Sequence, residues 1–321
     1  MEMRQLGRSG LAIAPLVLGG NVFGWTADEA TSFAILDAFV GAGFNCIDTA
    51  DVYSRWMPGH VGGESETVIG AWLRARGGRD KVVIATKFGA PMADDKKGLS
   101  RAYMMQAVEA SLKRLGADYI DLYQSHFDDP DAPQDEVAEG FARLVEQGKV
   151  RAIGASNFAA DRLSSALAAA TSKGLPRYES LQPQYNLADR DRFEGPLQDL
   201  CVREDVGVIC YYGLASGFLT GKYRSEADLG KSMRGRGVKR YLDDRGMGIL
   251  KALDEVAAAT GSTPAQVSLA WLLAQPGVTA PIASATSVAQ LNEIVGAAEL
   301  RLEADQLKAL NAASAPAPVA A

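Results

Sequence analysis

The chain has 321 residues, of which 47% are apolar and 22% are charged, a composition that excludes a disordered or fibrous protein. Its net charge of −6 is spread along the sequence, which argues against nucleic acid or an anionic membrane as a partner. No apolar run reaches the ~20 residues of a membrane span, and the first ten residues lack the apolar core of a signal peptide.

Cysteine and histidine are scarce. The three cysteines, Cys46, Cys201 and Cys210, form no CxxC pair, which excludes a disulfide scaffold or a zinc finger and predicts a reducing, cytoplasmic location. The two histidines are His60 and His126, so any acid–base or metal site built on histidine must use one of them. No metal site is predicted.

The predicted elements begin with a β-hairpin over residues 1–14, whose two extended runs are separated by Gly7-Arg8-Ser9-Gly10. Eight short, mostly apolar runs follow, and such runs are typical of strands buried on both faces. They are residues 16–18, 45–47, 82–85, 119–123, 151–154, 179–181, 207–210 and 279–282.

Amphipathic segments separate these strands. Ser100 precedes a stripe of apolar residues and Gly116 follows it, which predicts a capped helix. Thr263 and Pro264 begin another helix, because proline suits the first helical position. Repeated alternation of strand and helix indicates parallel strands with helical crossovers. Eight such units predict an α/β fold, a single (β/α)8 TIM barrel with extra helices and the N-terminal hairpin at its floor.

We expect residues 1–321 to form one domain with a frayed, alanine- and proline-rich tail at 312–321. One connection, from Gly213 to about Gly246, is long enough to be a binding loop or lid. Its positive charge in an acidic protein suggests an anionic ligand, and a solvated loop is the alternative. The basic residues are Lys222, Arg224, Lys231, Arg234, Arg236, Lys239 and Arg240.

Polar residues follow several predicted strands, at the end of a barrel where active sites are built. They are Asp48 with Tyr53 in the loop beyond it, Lys87, His126, Ser156-Asn157 and Gln182.

Four of these residues suggest proton transfer to a carbonyl. Tyrosine is a poor acid at neutral pH, and a lysine ammonium beside Tyr53 would favour the phenolate and make the phenol a better donor. Asp48 would hold Lys87 in place, and neutral His126 would orient a carbonyl oxygen. The set contains no nucleophile and no metal ligands, so a redox cofactor must supply the electrons.

Each residue has a structural interpretation when it is taken alone. An aspartate at a strand end often caps a helix, a lysine there is usually solvated, Tyr53 could belong to the core, and a lone histidine is more often structural. Their convergence at one end of the barrel favours catalysis. No GxGxxG motif follows a strand, so a Rossmann nucleotide site is not predicted.

Several ordered motifs resemble the aldo-keto reductase superfamily, and the resemblance covers nearly the whole chain. They are residues 44–53 (FNCIDTADVY), 84–87 (IATK), 124–126 (QSH), 148–158 (GKVRAIGASNF) and 182–186 (QPQYN). Residues 217–223 (GFLTGKY) look like a loop of the bacterial members, which are related to potassium-channel β subunits. The resemblance implies a (β/α)8 barrel that binds NADPH without a Rossmann fold and reduces aldehydes or ketones.

By position, the resemblance places the catalytic set on Asp48, Tyr53, Lys87 and His126, with Tyr53 as the proton donor. Asp48 is also counted with the cofactor contacts. The remaining implied cofactor residues are Gly20, Asn21, Ser156, Asn157, Gln182, Tyr211, Leu214, Ser216, Leu219, Lys222, Ser284, Thr286, Gln290 and Glu293.

Some positions depart from the family pattern. Tyr212 and Gly213 stand where relatives often have serine and proline. Thr286 stands where many relatives have the arginine that grips the 2′-phosphate of NADP, and Ile294 replaces an adenine-binding asparagine. NADP(H) is the expected cofactor and NAD(H) the alternative, with basic residues of the 222–240 segment able to compensate.

Trp25, Tyr53, His126 and Phe127 are the expected substrate contacts. Trp25 and Trp56 are either aromatic walls of the barrel mouth or packing against loops. Asp128, Asp129 and Asp131 would give polar walls suited to a sugar or polyol, unless they are only solvated. We expect a small-molecule carbonyl or alcohol as substrate and a monomer or homo-oligomer. The alternative function is a cofactor-binding regulatory or sensor module with little turnover, like the channel β subunits.

Overall fold

The eight predicted strands pair in parallel, in chain order, and close into a barrel in the computed structural model, which describes residues 1–233 and 235–316. The hairpin strands are β1 (Arg4–Gln5) and β2 (Ala12–Ile13). The barrel strands are β3 (Val17–Gly19), β4 (Cys46–Asp48), β5 (Val83–Phe88), β6 (Ile120–Ser125), β7 (Val150–Ser156), β8 (Ser180–Gln182), β9 (Gly207–Cys210) and β10 (Val278–Ala283). Pairing of β10 with both β3 and β9 closes the ring, so the predicted TIM barrel is confirmed.

Helices connect successive strands and cover the outside of the barrel. In the described chain they are α1 (Glu29–Gly41), α2 (Glu64–Arg76), α3 (Arg101–Leu115), α4 (Gln134–Glu146), α5 (Ala160–Ser172), α6 (Pro196–Glu204), α7 (Gly235–Val238), α8 (Asp244–Thr260), α9 (Pro264–Leu273), α10 (Val288–Val295) and α11 (Ala304–Ala313). The predicted caps of two helices are present. Ser100 Oγ accepts from the Tyr103 amide at 3.3 Å, and Thr263 forms a reciprocal capping box with Gln266.

Several barrel strands extend further at their carboxyl ends than the apolar runs indicate. Asp48, Lys87, Ser156 and Gln182 lie inside strands, whereas the sequence placed them directly after strands. The parallel ladder continues through them because backbone hydrogen bonds do not depend on side-chain polarity. Their side chains are therefore held by rigid strands at the barrel mouth.

The N-terminal hairpin closes the opposite end of the barrel, as predicted. Arg4 pairs with Ile13 across its two strands. Leu6 and Ile13 are fully buried and belong to one apolar cluster with the lower barrel interior. The Arg4 guanidinium donates at 3.3 Å to three backbone carbonyls, those of Leu273, Val278 and Thr279. The floor is therefore sealed by apolar contact and by hydrogen bonds.

The connection after β9 is folded into short turns. It contains 3₁₀ turns at Ala215–Thr220, Glu226–Lys231 and Lys239–Tyr241, together with the single-turn helix α7. Asp189, which is 13% exposed, ties this segment to the barrel: its Oδ2 accepts from the Tyr241 hydroxyl at 2.6 Å and from Gln184 Nε2 at 2.8 Å. The long connection that the sequence predicts as a binding loop or lid is therefore a segment of short turns anchored near the mouth.

Most basic residues of this segment are paired with carboxylates, so the expectation that they all serve an anionic ligand is not supported. Arg224 pairs with Asp254, Lys231 with Asp228, Lys239 with Glu226 and Arg240 with Asp189, at 2.7 to 3.4 Å. Arg234 lies outside the described residues. Lys222 and Arg236 have no carboxylate partner in the part of the chain that the structure describes, which leaves them as the segment's candidates for binding an anion.

The end of the chain is more ordered than expected. Ala312 and Ala313 belong to α11, and Ser314 is buried with its hydroxyl accepting from Arg190 at 3.1 Å, so fraying does not begin at residue 312. Residues 317–321 of the expected tail lie outside the described residues. Within the described residues, none of the helices combines the length and the hydrophobicity required to cross a membrane.

Candidate active site

Lys87 is the centre of a buried polar cluster at the barrel mouth. Its Nζ donates to Asp48 Oδ2 at 2.7 Å, to the Thr49 carbonyl at 2.7 Å and to the Tyr53 hydroxyl oxygen at 2.9 Å. All three ammonium donors therefore have acceptors, and the Lys87 and Asp48 side chains are only 1% and 2% exposed. A buried charge is tolerated when it is paired and fully hydrogen-bonded.

The electrostatics of Tyr53 differ from the sequence-based expectation. Burial, together with the Asp48 carboxylate 3.4 Å from the hydroxyl, raises the pKa of Tyr53 well above its ordinary value, whereas Lys87 was expected to lower it. Burial also lowers the pKa of Lys87, against the opposing effect of Asp48. Tyr53 therefore keeps its proton at neutral pH, with the Lys87 ammonium 2.9 Å from its hydroxyl oxygen.

Two glutamines orient the Asp48 carboxylate. Gln182 Nε2 donates to Asp48 Oδ1 at 2.8 Å, and Gln124 Nε2 approaches the same oxygen at 3.4 Å. Both side chains are buried, and Gln182 also donates to Gln124 Oε1 at 3.2 Å. Gln124 was not among the predicted site residues. Its spacing from His126 could have identified it. Side chains two residues apart along a strand point to the same face, and Gln124 lies two residues before His126.

His126 lies directly after β6 and faces Tyr53. The two rings are 6.1 Å apart, edge to face. Burial, helped by the Lys87 charge, lowers the pKa of His126 to about 3, so the imidazole is neutral at physiological pH. Its Nδ1 is buried and has no hydrogen-bond partner among the described residues. A neutral imidazole in this position can donate to a carbonyl oxygen.

The backbone beside Tyr53 is held in an unusual conformation. Ser54 has φ +74°, is fully buried, and donates its hydroxyl to the Phe23 carbonyl at 3.1 Å. A non-glycine residue with positive φ carries a cost that persists only when its surroundings impose it. This strain fixes the point at which the chain turns to present Tyr53 to the mouth.

Ser156, Asn157 and Tyr211 form a second group. Tyr211 donates its hydroxyl to Asn157 Oδ1 at 2.7 Å, and Asn157 Nδ2 donates to the His126 carbonyl at 3.0 Å. The Ser156 hydroxyl donates to the Gln182 carbonyl at 2.8 Å. A cavity of about 230 Å³ opens beside Asn157 and Tyr211. Gln182 Oε1, by contrast, has no protein donor within the described chain, so it can accept from a bound group.

The segment that begins after Tyr211 has a run of positive φ angles. Tyr212, Ala215 and Ser216 have φ of +58°, +48° and +58°, although none of them is glycine. Leu214 is partly exposed and Leu219 is buried within the same turns, and Lys222 is exposed with its Nζ 5.2 Å from the Tyr223 ring centroid. Such strained backbone clusters at ligand clamps.

The last group of predicted cofactor residues links the first and last barrel strands. A Cβ atom at position 20 would lie only 2.9 Å from Ser65 Oγ. The close packing of the loop after β3 therefore requires glycine at this position. Ser284 donates to Asn21 Oδ1 at 2.5 Å. Thr286 donates its amide and hydroxyl to Gln290 Oε1 at 2.9 and 3.0 Å, at the exposed start of α10. Glu293 is exposed one turn further along that helix.

The predicted substrate residues lie at the mouth, and most carboxylates of the expected polar walls already have partners. Trp25 is partly buried and Phe127 is 46% exposed. The Asp128 carboxylate is occupied by Arg162 at 2.6 Å. The two Asp129 oxygens accept from backbone amides, those of Leu99 at 2.8 Å and Asp131 at 3.1 Å. Two of the three carboxylates proposed to face a sugar or polyol are therefore engaged within the protein.

Comparison with known proteins identifies relatives that match nearly the whole chain. The model of the aldo/keto reductase family matches residues 15–315. The chain is 37% identical over 322 residues to "Uncharacterized oxidoreductase YrpG" of Bacillus subtilis, covering 97% of this chain and 95% of the relative. It is 35% identical over 318 residues to "Putative voltage-gated potassium channel subunit beta" of Schizosaccharomyces pombe, covering 93% and 88%. It is 32% identical over 310 residues to "Aldo-keto reductase YhdN" of Bacillus subtilis, covering 94% and 89%.

Proposed function

Because the chain belongs to the aldo/keto reductase family, we propose that it is an NAD(P)(H)-dependent oxidoreductase that interconverts a carbonyl group and its alcohol. The observation that carries the proposal is the contact of Lys87 Nζ with both Asp48 and the Tyr53 hydroxyl at the barrel mouth. This arrangement places one protonated phenol, backed by a buried cation, where a carbonyl oxygen can reach it.

The chain's own residues have defined tasks in this reaction. The reduced nicotinamide, when bound, supplies the hydride that adds to the carbonyl carbon. Tyr53 gives its proton to the carbonyl oxygen, and Lys87 stabilises the resulting phenolate through its hydrogen bond. Neutral His126 donates to the same carbonyl oxygen and orients it. In the oxidative direction the Tyr53 phenolate takes the proton of the alcohol.

The donors and acceptors present fit a nicotinamide nucleotide. Gln182 Oε1 can accept from a carboxamide, and Asn157 Oδ1 keeps one lone pair beyond its hydrogen bond from Tyr211. The Tyr211 ring is available for stacking. Leu214, Ser216 and Leu219 lie in the strained turns proposed to hold the pyrophosphate. Gly20 and Asn21 are proposed to lie near the cofactor ribose, and Ser284, Gln290 and Glu293 to hold the adenosine end.

The cofactor proposed is NADP(H), with NAD(H) as the alternative. Thr286 is neutral, so the cation for a 2′-phosphate must come from elsewhere, and Lys222 is exposed without a carboxylate partner in the described part of the chain. Titration by fluorescence quenching with NADPH and NADH decides between them. In Lys222→Met, NADPH affinity should fall more than NADH affinity, whereas Lys239→Met, whose lysine is paired with Glu226, should change neither. Tighter NADH binding by the native protein would contradict the NADP(H) proposal.

The test of the reaction is turnover of a panel of carbonyl compounds by the native protein and by Tyr53→Phe. The variant should bind the cofactor normally and lose turnover by about 10²- to 10⁴-fold, the usual contribution of a general acid. Unchanged turnover in Tyr53→Phe would contradict the proposed mechanism.

A regulatory module is the second candidate, because one relative is named as a potassium-channel β subunit. The presence of Asp48, Tyr53, Lys87 and His126 together favours the enzyme. Tight cofactor binding with no turnover of any carbonyl compound, combined with stable capture of a partner protein, would favour the module instead.

A further inference from the structure

The side chains around Tyr53 form a continuous chain of aromatic contacts at the mouth. Trp25 and Trp56 have ring centroids 5.7 Å apart, and Trp56 lies 6.0 Å from Tyr53. On the other side, Tyr53 lies 6.1 Å from His126, which stacks on Phe127 at 4.9 Å. We name these five residues the aromatic arc. Its central ring carries the hydroxyl proposed to meet the carbonyl.

Two members of the arc are exposed to an extent that packing does not explain. Trp56 is 50% exposed and Phe127 is 46% exposed, whereas Trp72 and Trp271 in the core are 4% and 0% exposed. Large apolar side chains left open beside a polar catalytic cluster are characteristic of a ligand pocket. The arc therefore presents two apolar faces, one on each side of Tyr53.

Most of the polar groups that would recognise a polyol at this place are already occupied. The Trp25 indole N–H donates to the Asn21 carbonyl at 2.6 Å. This hydrogen bond holds the ring in place and leaves no indole donor for a substrate. Asp128 is held by Arg162, and Asp129 accepts from two backbone amides. A substrate rich in hydroxyl groups would leave its own hydrogen bonds unmade against the aromatic faces.

We propose that the substrate is an uncharged carbonyl compound with an aromatic or similarly flat apolar group beside the carbonyl, held by Trp56 and Phe127. This inference rests on the proposed reductase function and narrows it. Trp56 and Phe127 are assigned as residues that determine specificity, because ring contacts on both sides of Tyr53 align the flat group and bring the carbonyl oxygen to the phenol.

The experiment compares kcat/KM for three aldehydes with NADPH as reductant: benzaldehyde, 4-carboxybenzaldehyde and glyceraldehyde. These share the reacting group but differ in ring, charge and hydroxyl content. In Trp56→Ala, kcat/KM for benzaldehyde should fall about tenfold, while that for glyceraldehyde should stay within about twofold. Trp56→Phe should restore most of the benzaldehyde activity. Each substrate is compared with itself, so intrinsic reactivity cancels.

Val202→Ala is the matched control. Val202 is an apolar side chain on α6 that is 53% exposed, and it lies against Gly277 away from the arc. The control should change none of the three kcat/KM values. An equal loss for benzaldehyde and glyceraldehyde in Trp56→Ala would overturn the inference while leaving the reductase function standing. A preference of the native protein for 4-carboxybenzaldehyde over benzaldehyde, whose aldehydes have similar intrinsic reactivity, would do the same.

Binding of benzyl alcohol to the native protein and to Trp56→Ala, measured by calorimetry, separates this inference from the proposed function. Absence of turnover on every carbonyl would contradict the reductase function. In that case, an affinity for benzyl alcohol that falls about tenfold in Trp56→Ala and is kept in Val202→Ala would still support the arc as an aromatic binding site. Equal affinities in all three proteins would overturn it.

Discussion

Lys87 Nζ lies 2.7 Å from Asp48 Oδ2, and the two side chains are among the most completely buried charged groups of the barrel. A buried ion pair costs much of its attraction in lost hydration, so it adds little net stability. Its value here is positional, because it holds a cation 2.9 Å from the Tyr53 hydroxyl.

Removing Lys87 should harm both stability and turnover. Lys87→Met leaves the Asp48 carboxylate buried without its cation, which should lower the free energy of unfolding by about 3–5 kcal/mol. The double variant Asp48→Asn/Lys87→Met should recover most of that stability, because neither charge remains, and should stay inactive. Urea denaturation and steady-state turnover measure the two effects. A double variant as unstable as the single one would refute the explanation.

His126 should remain neutral far below the usual range of histidine. Its pKa is lowered to about 3, while an unperturbed histidine titrates near ~6.5. NMR of the imidazole should therefore show one of the two histidine signals unchanged between pH 8 and pH 5, and His126→Gln should remove that signal.

The same shift predicts sensitivity to acid. The folded pKa lies below the unfolded one, so the contribution of His126 to stability is complete above pH ~6.5 and is lost as pH falls towards about 3. Stability of His126→Gln should fall less steeply over this range. A normal titration of both histidines would contradict the prediction.

Asp51 should make the protein less stable as pH rises. This carboxyl is 2% exposed, and its Oδ1 has no partner among the described residues. Burial and the nearby Glu66 raise the pKa of Asp51 to about 8, with Arg114 opposing. The folded pKa exceeds the unfolded value of ~3.9, so this stabilisation is complete below pH ~4 and is lost as pH rises towards about 8.

Asp51→Asn tests this dependence, because the amide has nearly the same shape and no charge. At pH 8 its free energy of unfolding should exceed that of the native protein by a few kcal/mol, of the order of ~1.4 kcal/mol per pKa unit, and at pH 4 the two should agree. Asp305→Asn, at an exposed position, serves as the control and should keep the native slope. Parallel pH profiles for the native protein and Asp51→Asn would refute it.

Ser54 should tolerate glycine and reject valine. With φ +74° it occupies a conformation that costs a β-branched residue most and glycine least. Ser54→Gly loses the hydrogen bond to Phe23 but relieves strain, so stability should change by less than about 1 kcal/mol. Ser54→Val should lose about 2 kcal/mol or more and should displace Tyr53, lowering turnover. Thermal unfolding and turnover check both variants, and equal tolerance of both would count against the strain argument.

Asp189 should control the order of the segment from Gly213 to Tyr241. Asp189→Ala removes the acceptor of Tyr241 and Gln184, so hydrogen exchange within the segment should accelerate and nucleotide affinity should fall. Glu226→Gln breaks only an exposed pair with Lys239 and should change neither quantity much. Unchanged exchange in Asp189→Ala would mean that other contacts anchor the segment.

The sequence alone determined the barrel and the composition of its mouth. Burial on both faces leaves a short apolar run for each strand. The polar residues that follow the run mark the mouth, as Asp48, Lys87 and Gln182 illustrate. These patterns depend only on neighbouring residues in the sequence, so they can be recognised without any knowledge of the fold. The strand ends themselves were misjudged, because the backbone ladder continues beneath polar side chains.

Only the tertiary structure decided the partners and the electrostatics. Gln182 meets Asp48 across 134 positions of sequence, and Arg224 meets Asp254 across 30, so no local pattern shows which charges are paired and which, like Lys222, are left without a carboxylate in the described residues. The same holds for Tyr53, whose pKa rises because desolvation and the Asp48 carboxylate outweigh the lysine. Desolvation depends on everything packed around a group, and that becomes defined only when the chain has folded.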